Sequence, residues 1–306
     1  MKKLNRFLPL LWRSAGFCLL ALLSLQVMAQ DVKKDNTKPA AKVVKNKAVK
    51  YTFESNFILD NQTVMVPIKG TFEFDIQHRF GTIENGYTDL CGLAAPSNVR
   101  LGFDYVVWKN LQFGFGLTTN GLKWDINGKY AIVKQNIKGG WPVSISWFTN
   151  MGIDTRTSDN FVSSGDRFSY FNQLLIARKV TEKFSVQVAP SLSHFNNIAG
   201  FTDATGKIQP IMNNDHFAIA FMGRYKMTQK TNLVVNYDQP LTQHPMNNPH
   251  PNISFGLEMV TSAHDFQVFF GNYHDILQQY NNVYNQNDFT NRQFELGFNI
   301  TRLWNF

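Results

Sequence analysis

From Thr71 to the C-terminus, apolar and polar residues alternate with a period of two, the spacing that sends successive side chains to opposite faces of a β-strand. Phe72, Phe74, Ile76 and Phe80 share one face, with His78 near its rim; Glu73, Asp75, Gln77 and Arg79 share the other. Further runs cover Val99–Val107, Leu111–Thr119, Leu122–Val133, Val143–Met151, Phe168–Arg178 and Phe184–His194. Then come His216–Met227, Leu233–Tyr237, Ile253–Val260, Phe266–Tyr273 and Phe294–Trp304, which makes about twelve predicted strands. The last is the cleanest: Phe294, Leu296, Phe298 and Ile300 oppose Glu295, Gly297, Asn299 and Thr301. Two runs are irregular. Alternation breaks at Leu174-Leu175, and Pro190, which removes a ladder donor, is expected at a bulge or outside a hydrocarbon band.

A soluble sandwich would alternate too, so the connections carry the distinction. On one side of the predicted sheet they are 108–110, 134–142, 179–183, 228–230 and 261–264, four of the five very short. On the other they are 81–98, 120–121, 152–167, 195–215, 238–252 and 274–293, five of the six long. Short turns at one end and long loops at the other are the habit of outer-membrane barrels. In lipid an open sheet edge would leave amides unpaired, so the first and last strands must meet. The expected fold is all-β, a closed antiparallel transmembrane β-barrel over 69–306, with both termini periplasmic. Trp108, Trp124, Trp141, Trp147 and Trp304 fall at or near strand ends, where aromatic girdles sit.

Residues 51–68 alternate poorly. Tyr51–Leu59 and Thr63–Ile68 are split by a turn expected at Asp60-Asn61, and the segment would lie in the barrel or across its periplasmic mouth. Upstream, Lys2, Lys3, Arg6 and Arg13 precede an apolar core at Phe17–Leu25 and the small residues before Gln30, the layout of a signal peptide over 1–29. Cys18 lies inside that core, so Cys91 is the one cysteine left after cleavage. An intrachain disulfide and a thiolate metal cluster are thereby excluded. Residues 30–50 are lysine-rich and without aromatics, the composition of a flexible periplasmic lead. The net charge of +8 comes from these ends: +4 in the signal and +5 in 31–50, which leaves about −1 for the rest and no basic footprint for nucleic acid.

Three phrases resemble a known family: Phe74-Asp75-Ile76-Gln77-His78-Arg79-Phe80-Gly81, Glu258 to Gln267 (EMVTSAHDFQ), and Leu296 to Arg302 (LGFNITR). Together they are similar to the Bacteroidota membrane-bound β-barrel family of unknown function, DUF5777, over roughly residues 60–306. The resemblance implies an outer-membrane barrel and supplies no catalytic residue.

Chemistry-bearing motifs are scarce. G-x-S-x-G, H-E-x-x-H, C-x-x-C and P-loop patterns do not occur, and Ser191, Ser193 and His194 point to different sides of one strand. A rim-located enzyme is therefore the least favoured reading. No cofactor is implied. Among the seven histidines, His264 and His274 are about 30 Å apart along an extended run and cannot share an ion. His244 with His250, and His194 with His216, lie in or beside long loops that read as solvated turns. No metal ligand set is expected.

The polar strand faces nominate a lumen lining: Glu73, Asp75, Arg79, Arg100, Asp104, Lys123, Asp125, Lys129, Glu258 and Glu295. Twelve strands give a bore between an eight-stranded barrel filled by side chains and a 16-stranded porin. A channel for small polar solutes is one reading; a structural or partner-binding barrel without a pore is the other, with the long loops as contact surface. Expected partners are outer-membrane lipid and, in transit, the barrel assembly machinery. Phe298, Trp304 and Phe306 form the expected membrane-insertion signal. An arginine at Phe298 should be costly in lipid, and the same arginine at Asn299 far milder, because that side faces the lumen.

Overall fold

A computed structural model describes residues 47–306; the expected signal peptide and most of the lysine-rich lead lie outside the described residues. Twelve antiparallel strands close into one barrel. In chain order they are β3 (Thr71–Thr82), β4 (Asn98–Trp108), β5 (Leu111–Thr118), β6 (Lys123–Val133), β7 (Ser144–Asp154), β8 (Phe168–Lys179) and β9 (Phe184–Phe195). β12 (Asp215–Lys226), β13 (Thr231–Pro240), β14 (Asn252–Val260), β15 (His264–Gly271) and β16 (Glu295–Asn305) follow. Two small hairpins take the remaining labels: β1 (Phe57–Ile58) with β2 (Asn61–Gln62), and β10 (Gly200–Thr202) with β11 (Ile208–Pro210). Each barrel strand pairs with its sequence neighbour. β16 closes on β3, from Glu295 opposite Thr82 to Asn305 opposite Thr71. Closure leaves no exposed edge, which is what a spanning sheet requires.

The alternation in the sequence becomes alternation in burial. In β3, Thr71, Glu73, Asp75, Gln77 and Arg79 are buried while Phe72, Phe74, Ile76 and His78 are less so. Outside, Leu101, Phe103, Tyr105, Phe113, Phe115, Ile126, Val268 and Phe270 are exposed, the surface that acyl chains cover. His78 belongs to this outer face; its ring stacks on Phe298 at 4.9 Å. Trp108, Trp141 and Trp147 are exposed near the short-turn end, and Trp304 packs beside Phe72 there.

Pro190 sits in an unshifted register. It faces Ile219, and the β8–β9 pairing skips it, running from Gln173–Ser191 to Ile176–Val188. Of the two expected placements the bulge does not form; lost pairs over two positions accommodate the missing donor. Alternation also survives at Leu174-Leu175, with Leu175 fully buried and Leu174 facing out.

Residues 52–66 run inside the barrel, and Tyr51 before them is exposed. β1 and β2 pair Phe57 with Gln62 and Ile58 with Asn61, so the turn is Leu59-Asp60, one residue earlier than the sequence suggests. Leu59 takes a left-handed φ of 62°, which costs a non-glycine residue about 1–2 kcal/mol. Barrel side chains hold it there: its amide donates to Gln267 Oε1, and its carbonyl accepts from Arg79 and Asn299. The long-loop end carries a short helix, α1 (Gln278–Tyr284), within the β15–β16 connection. Its Gln278 and Asn281 donate to Asp60 at the hairpin tip.

Candidate functional site

The bore has two different walls. One is apolar: Phe148, Phe171, Leu175, Ala177, Ala189, Ala220, Met222, Val234 and Phe269 form one cluster with the hairpin residues Phe53, Ile58, Leu59 and Val64. The other is charged and comes from β3, β4 and β6. Arg100 clamps Asp125 with Nε–Oδ2 at 2.8 Å and Nη2–Oδ1 at 2.9 Å, and reaches Asp75 Oδ2 with Nη1 at 3.0 Å. Asn150 adds a 2.9 Å bond to Asp125. Glycines on the inward faces of β4 and β5 make the room. A Cβ added at Gly102 would collide with Asp75, at Gly114 with Asp104, and at Gly116 with Asp125 and Arg100.

The hairpin ties both walls together. Lys129 Nζ donates to Asn56 Oδ1 (2.6 Å), Asn56 O (2.8 Å) and Gln62 Oε1 (2.9 Å). Asn56 Nδ2 bridges Glu73 and Gln112. Glu54 pairs with Arg224 at 3.0 Å, and Ser55 donates to Glu258 at 2.6 Å. Asn61 Nδ2 reaches Asp238 at 2.8 Å, and the backbone amide of Val64 donates to Gln187. Arg79 lies 4.6 Å over the Phe269 ring and donates to Asn299. The segment thus enters at the short-turn end, crosses the bore and meets α1 from the other side.

Of the ten residues nominated for the lumen, all are buried. Glu73, Asp75, Arg100, Asp104, Asp125 and Lys129 form one group. Arg79 lies beneath the hairpin turn and Glu258 faces Ser55. Glu295 holds His274 Nδ1 at 2.9 Å, and Lys123 sits at the long-loop mouth. Phe298 is half-buried on the outer face, Trp304 stands over Phe72, and Phe306 is exposed. The histidine pair that forms is neither of the two considered from sequence: His216 Nδ1 meets His244 Nε2 at 2.8 Å with stacked rings. His216 lies at the start of β12 and His244 in the loop after β13, a meeting that strand alternation does not reveal.

A cavity of about 460 Å³ opens at the long-loop end between β6, β7, β9 and α1. Tyr280 and Tyr284 stack at 5.8 Å, and Phe195 stands edge-on to both at 5.1 and 5.3 Å. Arg156 forks onto Asp154, Arg167 lies 4.4 Å over Phe161, and Lys123 sits 3.0 Å from Asp275 and 3.9 Å over Tyr280. Burial pushes both tyrosine hydroxyls up, Tyr284 to about 12, so each stays protonated and can donate. Three cations meet three carboxylates (Asp154, Asp166 and Asp275) on this lining, so its charge is balanced. The seven-residue α1 supplies both tyrosines; lacking an apolar period, it has no signature in the sequence.

Closure, outward apolar faces and end-to-end register define a membrane-bound β-barrel of the outer membrane. The chain belongs to the family described as membrane bound beta barrel domain (DUF5777), which matches residues 53–304. A search of curated proteins found no sequence match. Among solved structures, the chain is similar to the NanC porin (10% identity, covering 77% of this chain and 99% of that one, TM-score 0.44). It is also similar to an outer membrane channel from Pseudomonas putida F1 (13%, 78% and 97%, TM-score 0.46). A third is the translocator domain of the autotransporter NalP from Neisseria meningitidis (11%, 79% and 91%, TM-score 0.39).

Proposed function

We propose that this is an outer-membrane barrel whose bore is closed at rest and whose long-loop mouth captures a small polar solute. The carrying observation is the filled bore: residues 51–66 bond to strands all round the barrel and meet α1 at the far end. Burying Phe53, Phe57, Ile58, Leu59, Val64 and Val66, each under 5% exposed, is worth about 1.5–3 kcal/mol per residue. Thermal release of the whole segment is therefore rare. Both termini then face the periplasm, because β3 starts and β16 ends at the short-turn end, and the cavity of α1 faces outward. Its volume falls within the range that holds a small ligand. Aromatic faces beside a charge-balanced set of donors and acceptors suit a neutral or zwitterionic solute with one apolar face. Phe298, Trp304 and Phe306 are, on this reading, the insertion signal recognised by the barrel assembly machinery.

Planar-bilayer recording tests the closed bore. The intact protein should give no steady conductance, and deletion of 51–68 should give ion flow that changes selectivity when Arg100 is replaced. Steady conductance from the intact protein would favour an open channel and overturn the proposal.

A further inference from the structure

The charged wall does not balance itself. Glu73, Asp75, Asp104 and Asp125 stand against only Arg100 and Lys129 in this group, and every hydrogen bond of Lys129 goes to the hairpin segment, at Asn56, Gln62 and Thr63, rather than to a carboxylate. Asp125 is saturated by Arg100 and Asn150. Of the other three, Asp75 already accepts from Arg100 Nη1 through Oδ2. Glu73, Asp75 and Asp104 each offer one oxygen, the three oxygens lying within 4.8 Å of one another. Glu73 gives Oε2 to Asn56, and its other oxygen, Oε1, is buried with no partner at all. Beside them is a space of about 20 Å³, lined by these three and by Arg100, Asp125, Gln77 and Asn127. A space of roughly 10–15 Å³ already admits one water-sized particle.

We infer that Glu73, Asp75 and Asp104 form a binding site for one hard divalent cation, with Ca²⁺ the best fit. With all four carboxylates ionised, the group would carry two excess negative charges, the charge of one such ion. An orphaned carboxylate oxygen in a low-dielectric interior is costly unless a cation or donor faces it. All-oxygen, carboxylate-rich surroundings select Ca²⁺ or Mg²⁺ over softer metals. Oxygens that share one Ca²⁺ at about 2.3–2.6 Å can lie up to about 5 Å apart, which matches this spacing; Mg²⁺ at about 2.0–2.1 Å demands a tighter set. Gly102 and Gly114 keep the site open by withholding side chains from it. The ion would sit between the hairpin, through Asn56, and the charged wall, and so fasten the closure of the bore.

The test uses the full-length protein in detergent, stripped with EGTA and titrated with Ca²⁺ or Mg²⁺ alone. Equilibrium dialysis with radioactive calcium should give one ion per chain. Calcium should also raise the unfolding temperature read from heat-modified gel mobility. D104N, which keeps the size of the side chain, should weaken calcium binding by about tenfold or more and abolish the thermal response. E73Q provides a second variant with the same expectation should D104N not fold. Absence of bound calcium at millimolar concentration would overturn the inference, as would unchanged binding in both folded variants. Tighter binding of Mg²⁺ than Ca²⁺ would overturn the choice of ion.

Discussion

The residue-level logic is most explicit where side chains are missing. Gly114 and Gly116 alternate with Phe113, Phe115 and Leu117, and read alone they look like weak strand positions. Their purpose is volume: the carboxylates of Asp104 and Asp125 occupy the space that their Cβ atoms would take. Gly114→Ala should therefore destabilise the barrel by about 1–3 kcal/mol. Gly223→Ala, where a Cβ meets nothing within 4 Å, should be close to neutral. Unfolding in detergent, followed by gel mobility, measures both. Two neighbours in β16 give a second comparison. Phe298→Arg should cost up to about 2–4 kcal/mol in bilayers if the residue lies near the midplane. The sequence makes Asn299→Arg far milder, on the premise that its side faces a lumen. The structure removes that premise: Asn299 is 1% exposed, donates to Leu59 O and Gln267, and accepts from Arg79. An arginine there meets both a filled space and a like charge, so refolding yields of the two variants should be comparably low. The inward set of charges was legible in the sequence because period-two alternation sorts faces. Which of them meet was not, since partners such as Arg100 and Asp125 come from strands that are not adjacent in the sheet.

At the level of elements, β8 shows why a break in pattern can carry information. Its inward face holds Phe171, Leu175 and Ala177 where a water-lined lumen would want polar groups, and these residues pack on Phe53, Ile58 and Val64. The doubled leucine is the footprint of the hairpin on the wall. The hairpin itself alternates poorly because it is buried on both sides, so no solvent face imposes a period. The β15–β16 connection is equally opaque in sequence, being rich in Asn and Gln, yet it is latched at His274. Its hydrogen bond to Glu295, with Asp275 and the Phe80 carbonyl nearby, holds the imidazole above its ordinary value of 6.5, against the opposing effect of burial. A raised value in the folded state means that the latch contributes fully below about pH 6.5 and is lost as pH rises through the raised value. Limited proteolysis within 272–294 should accordingly be slower at pH 6 than at pH 9, and His274→Gln should flatten that difference. Equal cleavage rates in the wild type at both pH values would remove the latch from this account.

For the whole molecule, the strand count, their order and the closure by β16 on β3 follow from alternation, loop lengths and the intolerance of lipid for open edges. The interior does not follow from these. A twelve-stranded bore is wide enough to need filling, and this chain fills it with its own N-terminal hairpin from one end and α1 from the other. The exchange has a physical basis: apolar side chains on the hairpin meet an apolar wall, polar ones meet the charged wall, and each face of the plug is satisfied. Leu59 and Val64 report on this arrangement directly, because their backbone amides donate to the wall side chains Gln267 and Gln187 and nowhere else in the hairpin ladder. Hydrogen–deuterium exchange of the intact protein in detergent or lipid nanodiscs reads them without any mutation. If the bore is closed as described, the peptide spanning Leu59 and Val64 should be protected as long as the barrel strands β3 and β16. Exchange of that peptide within seconds, while the strands stay protected, would mean the hairpin is not seated in the bore and would contradict the account.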